Sequence, residues 1–128
     1  MTVLLVLVGG MIGAPARYLT DRLLQARHDS VFPWGTLAVN VTGCAVLGFL
    51  LGAQRHLGLP AAWVALLGIG VCGGLTTFST FSYETMRLLE DGAISEAGLN
   101  VLGSLAAGLL AAWLGMTLAG AWLAARHP

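Results

Sequence analysis

The chain has 128 residues, 57% of them apolar and a further 18 glycine, while only 9% are charged. Soluble domains carry about 25% charged residues, so the composition excludes an ordinary soluble globular domain and implies lipid as the solvent. Six Arg, no Lys and six Asp or Glu cancel to a formal net charge of zero, which leaves no basic patch from which to argue binding to nucleic acid or to an acidic substrate.

A membrane helix needs about 20 apolar residues, so the chain reads as one integral membrane domain, 1–128, all-α, with four spans and short loops. Charged or Pro-containing breaks at 25–33, 54–60 and 89–96 bound spans of roughly 3–24, 34–53, 61–88 and 97–124. In the first span, an apolar run ending at Ala14-Pro15-Ala16 has the outline of a cleavable signal. No basic residue precedes it and amphipathic text continues from Arg17 to Leu24, so it reads as a retained helix. Pro15 predicts a kink or a loosened turn near Ala14, and Arg17 and Asp21, four apart, form a candidate ion pair.

The second span opens Gly35-Thr36-Leu37-Ala38-Val39-Asn40 and puts Thr36 and Asn40 on one helical face. A buried amide needs partners, so Asn40 either bonds between helices or presents its NH2 to a polar pathway. The third span is too long and too polar in its middle for a plain helix, with five hydroxyls and two Gly in residues 73–82. We expect a break there, at about the membrane midplane, where non-helical backbone survives only if it is buried in protein or lines a cavity. Freed carbonyls around Gly73 to Thr76 suit a cation, while a new helix N-terminus near Thr77 to Ser79 aims amide donors and partial positive charge at an anion.

Phe78 and Phe81 are three apart and share a face, with the hydroxyls of Ser79, Thr80 and Ser82 beside them. Phenyl edges carry positive potential, so two rings seen edge-on can attract a small anion with no Lys or Arg to trap it; core packing is the plainer role of such a pair. Glu84, with Arg87 three residues on, is a candidate for salt bridging or for proton coupling.

Gly9 with Gly13, Gly48 with Gly52 and Gly70 with Gly74 give three G-x-x-x-G pairs, and Gly103 with Ala107 repeats the small-residue spacing in the last span. Such spacing lets helices approach closely. Cys44 and Cys72 lie inside spans and read as packing residues, because no His or carboxylate recurs near them at ligand spacing. His28, His56 and His127 fall in loops or at the terminus, and no nucleophile, base and orienting group come together, which argues against an enzyme. Arg55 and Arg126 on one side face Arg22, Arg27 and Arg87 on the other. So small a bias suits either a chain that inserts in both orientations and pairs antiparallel with itself or a chain oriented by weak signals.

Taken together, residues 9–18 (GGMIGAPARY), 35–43 (GTLAVNVTG) and 70–84 (GVCGGLTTFSTFSYE) resemble the Fluc fluoride channels, the CrcB-like membrane proteins. The likeness runs through the first three spans in order, and GG-L-TTFSTFS-x-E following G-T-L-x-V-N is its specific part. It implies a passive fluoride-selective channel built as an antiparallel, dual-topology homodimer in the cytoplasmic membrane, with two pores and a sodium ion at the dimer centre. Such a channel exports fluoride that enters cells as HF and ionises inside. Carried over by position, Phe78 and Phe81 face fluoride with their edges, Asn40 donates to it, and Ser79, Thr80 and Ser82 line a polar track. The carbonyls of Gly73 and Thr76 hold the sodium, Arg17 belongs to the vestibule and Glu84 to a stabilising polar set. One departure is Asn100 beside Val101, where many family members carry a Tyr of the polar track.

The runner-up is a small multidrug-type proton-coupled exporter of similar length, which needs a membrane-embedded carboxylate. The first span has no acid before Asp21 and Glu84 lies near the end of the third. A third class, a non-transporting packing subunit, would rest on the G-x-x-x-G pairs alone.

Overall fold

The computed structural model describes residues 1–125; Arg126 and His127, used in the charge and loop readings above, lie outside the described residues. Five helical elements make four candidate spans: α1 (Thr2–Gln25), α2 (Trp34–Leu57), α3 (61–75) followed in the same span by α4 (Phe78–Glu90), and α5 (Ile94–Ala124). Their most apolar windows have mean hydropathy of 1.6 to 1.8, and 24 residues of α1 cover about 36 Å at 1.5 Å per residue, enough to cross a hydrocarbon core of about 30 Å.

The turns between spans follow from local chemistry. Gly58 closes α2 in the left-handed conformation (φ 65°) with Pro60 just beyond, and Gly92 (φ 76°) lets the chain reverse between α4 and α5. That tight reversal is why α5 starts at Ile94, earlier than the residue 97 expected from the charge boundary. α1 runs through Pro15 as one unbroken helix, so the expected loosening near Ala14 does not interrupt it.

α3 differs from a regular helix throughout its middle. Only Ala61–Trp63 and Gly73–Leu75 are α-helical, and Val64–Cys72 winds as a π-helix. Every side chain in Val64–Cys72 is apolar or absent, so hydrophobic period carries no signal there and the wider winding was not foreseeable from it.

Two glycine seams hold the bundle. α1 lies on α3, where a Cβ on Gly70 would stand 2.8 Å from the Gly9 Cα and one on Gly74 3.1 Å from the Ala14 amide nitrogen. α2 lies on α5, where Gly48 abuts the Ala112 carbonyl, Gly52 faces the Met116 carbonyl and Gly115 packs on Ala45 and Phe49. Gly103 is not part of a seam, since only its own helix's Leu99 comes within 4 Å. The core combines the small side chains of Ala53, Ala65, Cys72, Ala97, Ala111 and Ala119 with Phe32, Val39, Leu50 and Leu88, while α1 leaves Val3, Leu4, Leu7, Met11 and Ile12 exposed. Cys44 and Cys72 are both free thiols.

Candidate functional site

The site is built where α3 gives way to α4. Thr76 (φ −82°, ψ 156°) and Thr77 (φ −153°, ψ 117°) are extended, so the helical ladder stops after Leu75 and restarts at Phe78. Side chains replace the lost bonds. Thr77 caps α4, its Oγ1 accepting from the Thr80 amide at 3.1 Å and donating to Thr80 Oγ1 at 3.0 Å, with Ser79 Oγ at 3.2 Å. The Cys72 carbonyl accepts both the Thr76 amide and the Thr76 hydroxyl at 2.9 Å each.

Asn40 clamps the break from α2. Its Oδ1 accepts the Thr77 amide at 2.7 Å and its Nδ2 donates to the Thr77 carbonyl at 3.1 Å, so the interhelical role is observed directly. An amide group has two N–H donors, and one of Asn40's remains for another acceptor. Because the Thr77 amide is taken by Asn40, the bond that would close the next turn onto the Gly73 carbonyl is not made.

Three cavities follow α4. The first, about 500 Å³, is bordered by Asn40, Thr77, Phe78, Phe81 and Ser104, and no charged side chain lines it. The rings of Phe78 and Phe81 stand 5.6 Å apart between centroids at 39°, and Phe78 is 79% exposed. The second, about 250 Å³, brings Arg17, Thr36 and Asp21 to Thr77 and Thr80. The third, about 200 Å³, holds Asp21, Gln25, Glu84 and Arg87. Thr77 borders the first two and Asp21 the last two.

Of the residues singled out from sequence, Asn40, Phe78 and Phe81 therefore meet in one cavity and Thr80 joins Arg17 in the next. Ser79 and Ser82 border none of the three; the Ser82 hydroxyl donates to the Phe78 carbonyl at 2.9 Å. The candidate pairs Arg17–Asp21 and Glu84–Arg87 are absent. Among the described residues the one ion pair is Arg87–Asp91, at 4.0 Å on the surface. Arg17 Nη1 instead reaches the Thr76 carbonyl at 3.4 Å, drawn to the negative end of α3. The Oε2 atom of Glu84 is buried with no hydrogen-bond partner.

Ser104 and Thr85 were not singled out from sequence, Thr77 was named only as part of a helix N-terminus, and Asn100 only as a departure from the family pattern. Asn100 is fully buried; its Nδ2 donates to Thr85 Oγ1 at 2.9 Å and its Oδ1 accepts from Ser104 at 3.3 Å. An Asn in an apolar helix signals that a partner must exist, but nothing in the sequence says which.

Four long apolar helical spans define a multi-pass membrane protein, with polar groups at the cavities beside the break in the third. Residues 4–116 match the family described as CrcB-like protein, Camphor Resistance, and the chain belongs to that family. It is 57% identical over 124 residues to a protein of Streptomyces avermitilis named fluoride-specific ion channel FluC 1, covering 97% of this chain and 96% of that one. A namesake from Frankia casuarinae is 56% identical over 125 residues, covering 93% of this chain and 96% of its own. The fluoride-specific ion channel FluC of Geobacter sulfurreducens is 47% identical over 119 residues, covering 92% and 96%.

Proposed function

We propose that this protein is a passive, fluoride-selective channel of the cytoplasmic membrane and not an enzyme. One observation carries the reading from the geometry: Phe78, Phe81 and Asn40 converge on a cavity that has no charged lining. Fluoride is small and strongly hydrated, so a pore must replace several water hydrogen bonds, and here the donors are the remaining Asn40 N–H and two ring edges, with the Thr80 hydroxyl, which accepts from Thr77, in the next cavity. A fixed cation at the same place would bind the ion too tightly to release it. Arg17, one cavity away, raises the local anion concentration without sitting in the constriction. Thr77 borders both cavities and its hydroxyl bonds that of Thr80, which lines the second, with Ser79 and Ser82 adjoining them along the chain. Glu84 stabilises the polar set at the far end.

The working unit is an antiparallel homodimer with two pores. Gly73, with nothing within 4 Å of an added Cβ, and Phe78 are exposed on the open side of the first cavity, which suits closure by a second copy. The carbonyls of Gly73 and Thr76 fit a sodium ion in kind. Gly73's lacks its helical donor, Thr76's has only the long contact to Arg17, and both are neutral hard oxygens; two copies supply four. A cation held there offsets the negative end of α3, while the chain's own role is to keep both carbonyls aimed by the Asn40 clamp.

Phe78→Ile and Phe81→Ile, each removing a ring edge at similar bulk, test the reading. Purified dimers of either variant in liposomes are expected to lose at least about tenfold in fluoride efflux. Unchanged flux in both would overturn the ring-edge site. Proton-driven transport that vanishes in Glu84→Gln would instead favour the coupled exporter.

A further inference from the structure

Two residues of the first cavity, Ser104 on α5 and Phe81 on α4, are joined behind its wall by a chain of hydrogen bonds. The Ser104 hydroxyl donates to Asn100 Oδ1 at 3.3 Å, Asn100 Nδ2 donates to Thr85 Oγ1 at 2.9 Å, and the Thr85 hydroxyl donates to the Phe81 carbonyl at 2.8 Å. Every donor points the same way, from α5 to α4, so each bond polarises the next. Asn100 is 0% exposed and has an amide oxygen and an amide nitrogen both engaged within the protein.

α4 needs such a brace. Leu88 is its one buried residue, and its outer face exposes Phe78, Tyr83 and Met86. Its first turn is fixed to α2 through Thr77 and Asn40, but between that clamp and Leu88 the Asn100–Thr85 bond is the side-chain tie to α5 among the described residues. Thr85 is four residues after Phe81, one helical turn on, so fixing Thr85 against α5 also fixes the rotation of the turn that carries the Phe81 ring.

We infer that Asn100 is a positioning residue for the anion path, holding the Phe81 ring and the Ser104 hydroxyl in register across the cavity through Thr85. It does not itself contact the ion. The inference rests on the channel reading above for its functional half and on geometry alone for its positional half.

Asn100→Leu removes both bonds at similar size, Thr85→Val removes the middle link, and Thr85→Ser keeps the hydroxyl. Each variant is purified as an assembled protein with Phe replaced by 4-fluorophenylalanine. The 19F resonance of position 81 is read against that of position 78, and fluoride efflux from liposomes is measured on unlabelled protein. Asn100→Leu and Thr85→Val are expected to shift or broaden the position-81 resonance while position 78 moves little, and to slow efflux about tenfold, with Thr85→Ser like the parent. An unmoved position-81 resonance in both Asn100→Leu and Thr85→Val would overturn the positional claim. A moved resonance with full efflux would overturn the pathway role. A parent protein that passes no fluoride would sink the channel reading, and the resonance would still decide whether Asn100 positions Phe81.

Discussion

Asn40 shows how one side chain can serve structure and transport together. With its oxygen and one N–H fixed to Thr77, the amide cannot rotate, and its second N–H is held in one direction at the cavity wall. Asn40→Asp takes away both N–H donors and opposes a carboxylate to the Thr77 carbonyl. The expected result is loss of fluoride efflux from liposomes with the protein still assembled; normal efflux would mean that Asn40 only packs. The need for an Asn40 partner was legible in the sequence, because an amide in apolar text must be satisfied. Its identity was not, since Thr77 lies 37 residues away. The pairs Arg17–Asp21 and Glu84–Arg87 failed for the converse reason: helical spacing permits them, but the freed Thr76 carbonyl and Asp91 offered Arg17 and Arg87 other partners.

Among the elements, the close seams depend on which glycines face a neighbouring backbone. Gly9 and Gly10 are adjacent in α1, yet a Cβ on Gly9 would collide with the Leu66 carbonyl and stand 2.7 Å from the Gly70 Cα, whereas Gly10 has nothing within 4 Å. Gly9→Ala is therefore expected to destabilise by about 1 to 3 kcal/mol and Gly10→Ala to be near neutral or slightly stabilising, read as thermal midpoints in detergent. Equal midpoints would show that the α1–α3 seam contributes little. The G-x-x-x-G spacing announced this seam and the α2–α5 seam, and charged breaks announced the four spans, because desolvating charge is costly enough to override other preferences. The π-helical Val64–Cys72 and the Asn100–Thr85 tie were silent, the first for want of any polar residue to mark a period and the second because it joins separate helices.

For the whole molecule, the near balance of Arg across the spans suits either a chain that inserts in both orientations, as the proposed antiparallel homodimer requires, or a chain oriented by weak signals. Asp29→Cys, in the exposed loop between α1 and α2, is expected to react with a membrane-impermeant thiol reagent from both faces of the cell membrane, about half from each. Labelling from one face alone would exclude dual topology. Fluoride selectivity is tested most directly by paired efflux from liposomes that hold the purified protein, one set loaded with fluoride and the other with chloride. Rapid passive loss of fluoride with chloride retained is the expected result; equal loss of both ions, or retention of fluoride by well-assembled protein, would contradict a fluoride-selective channel.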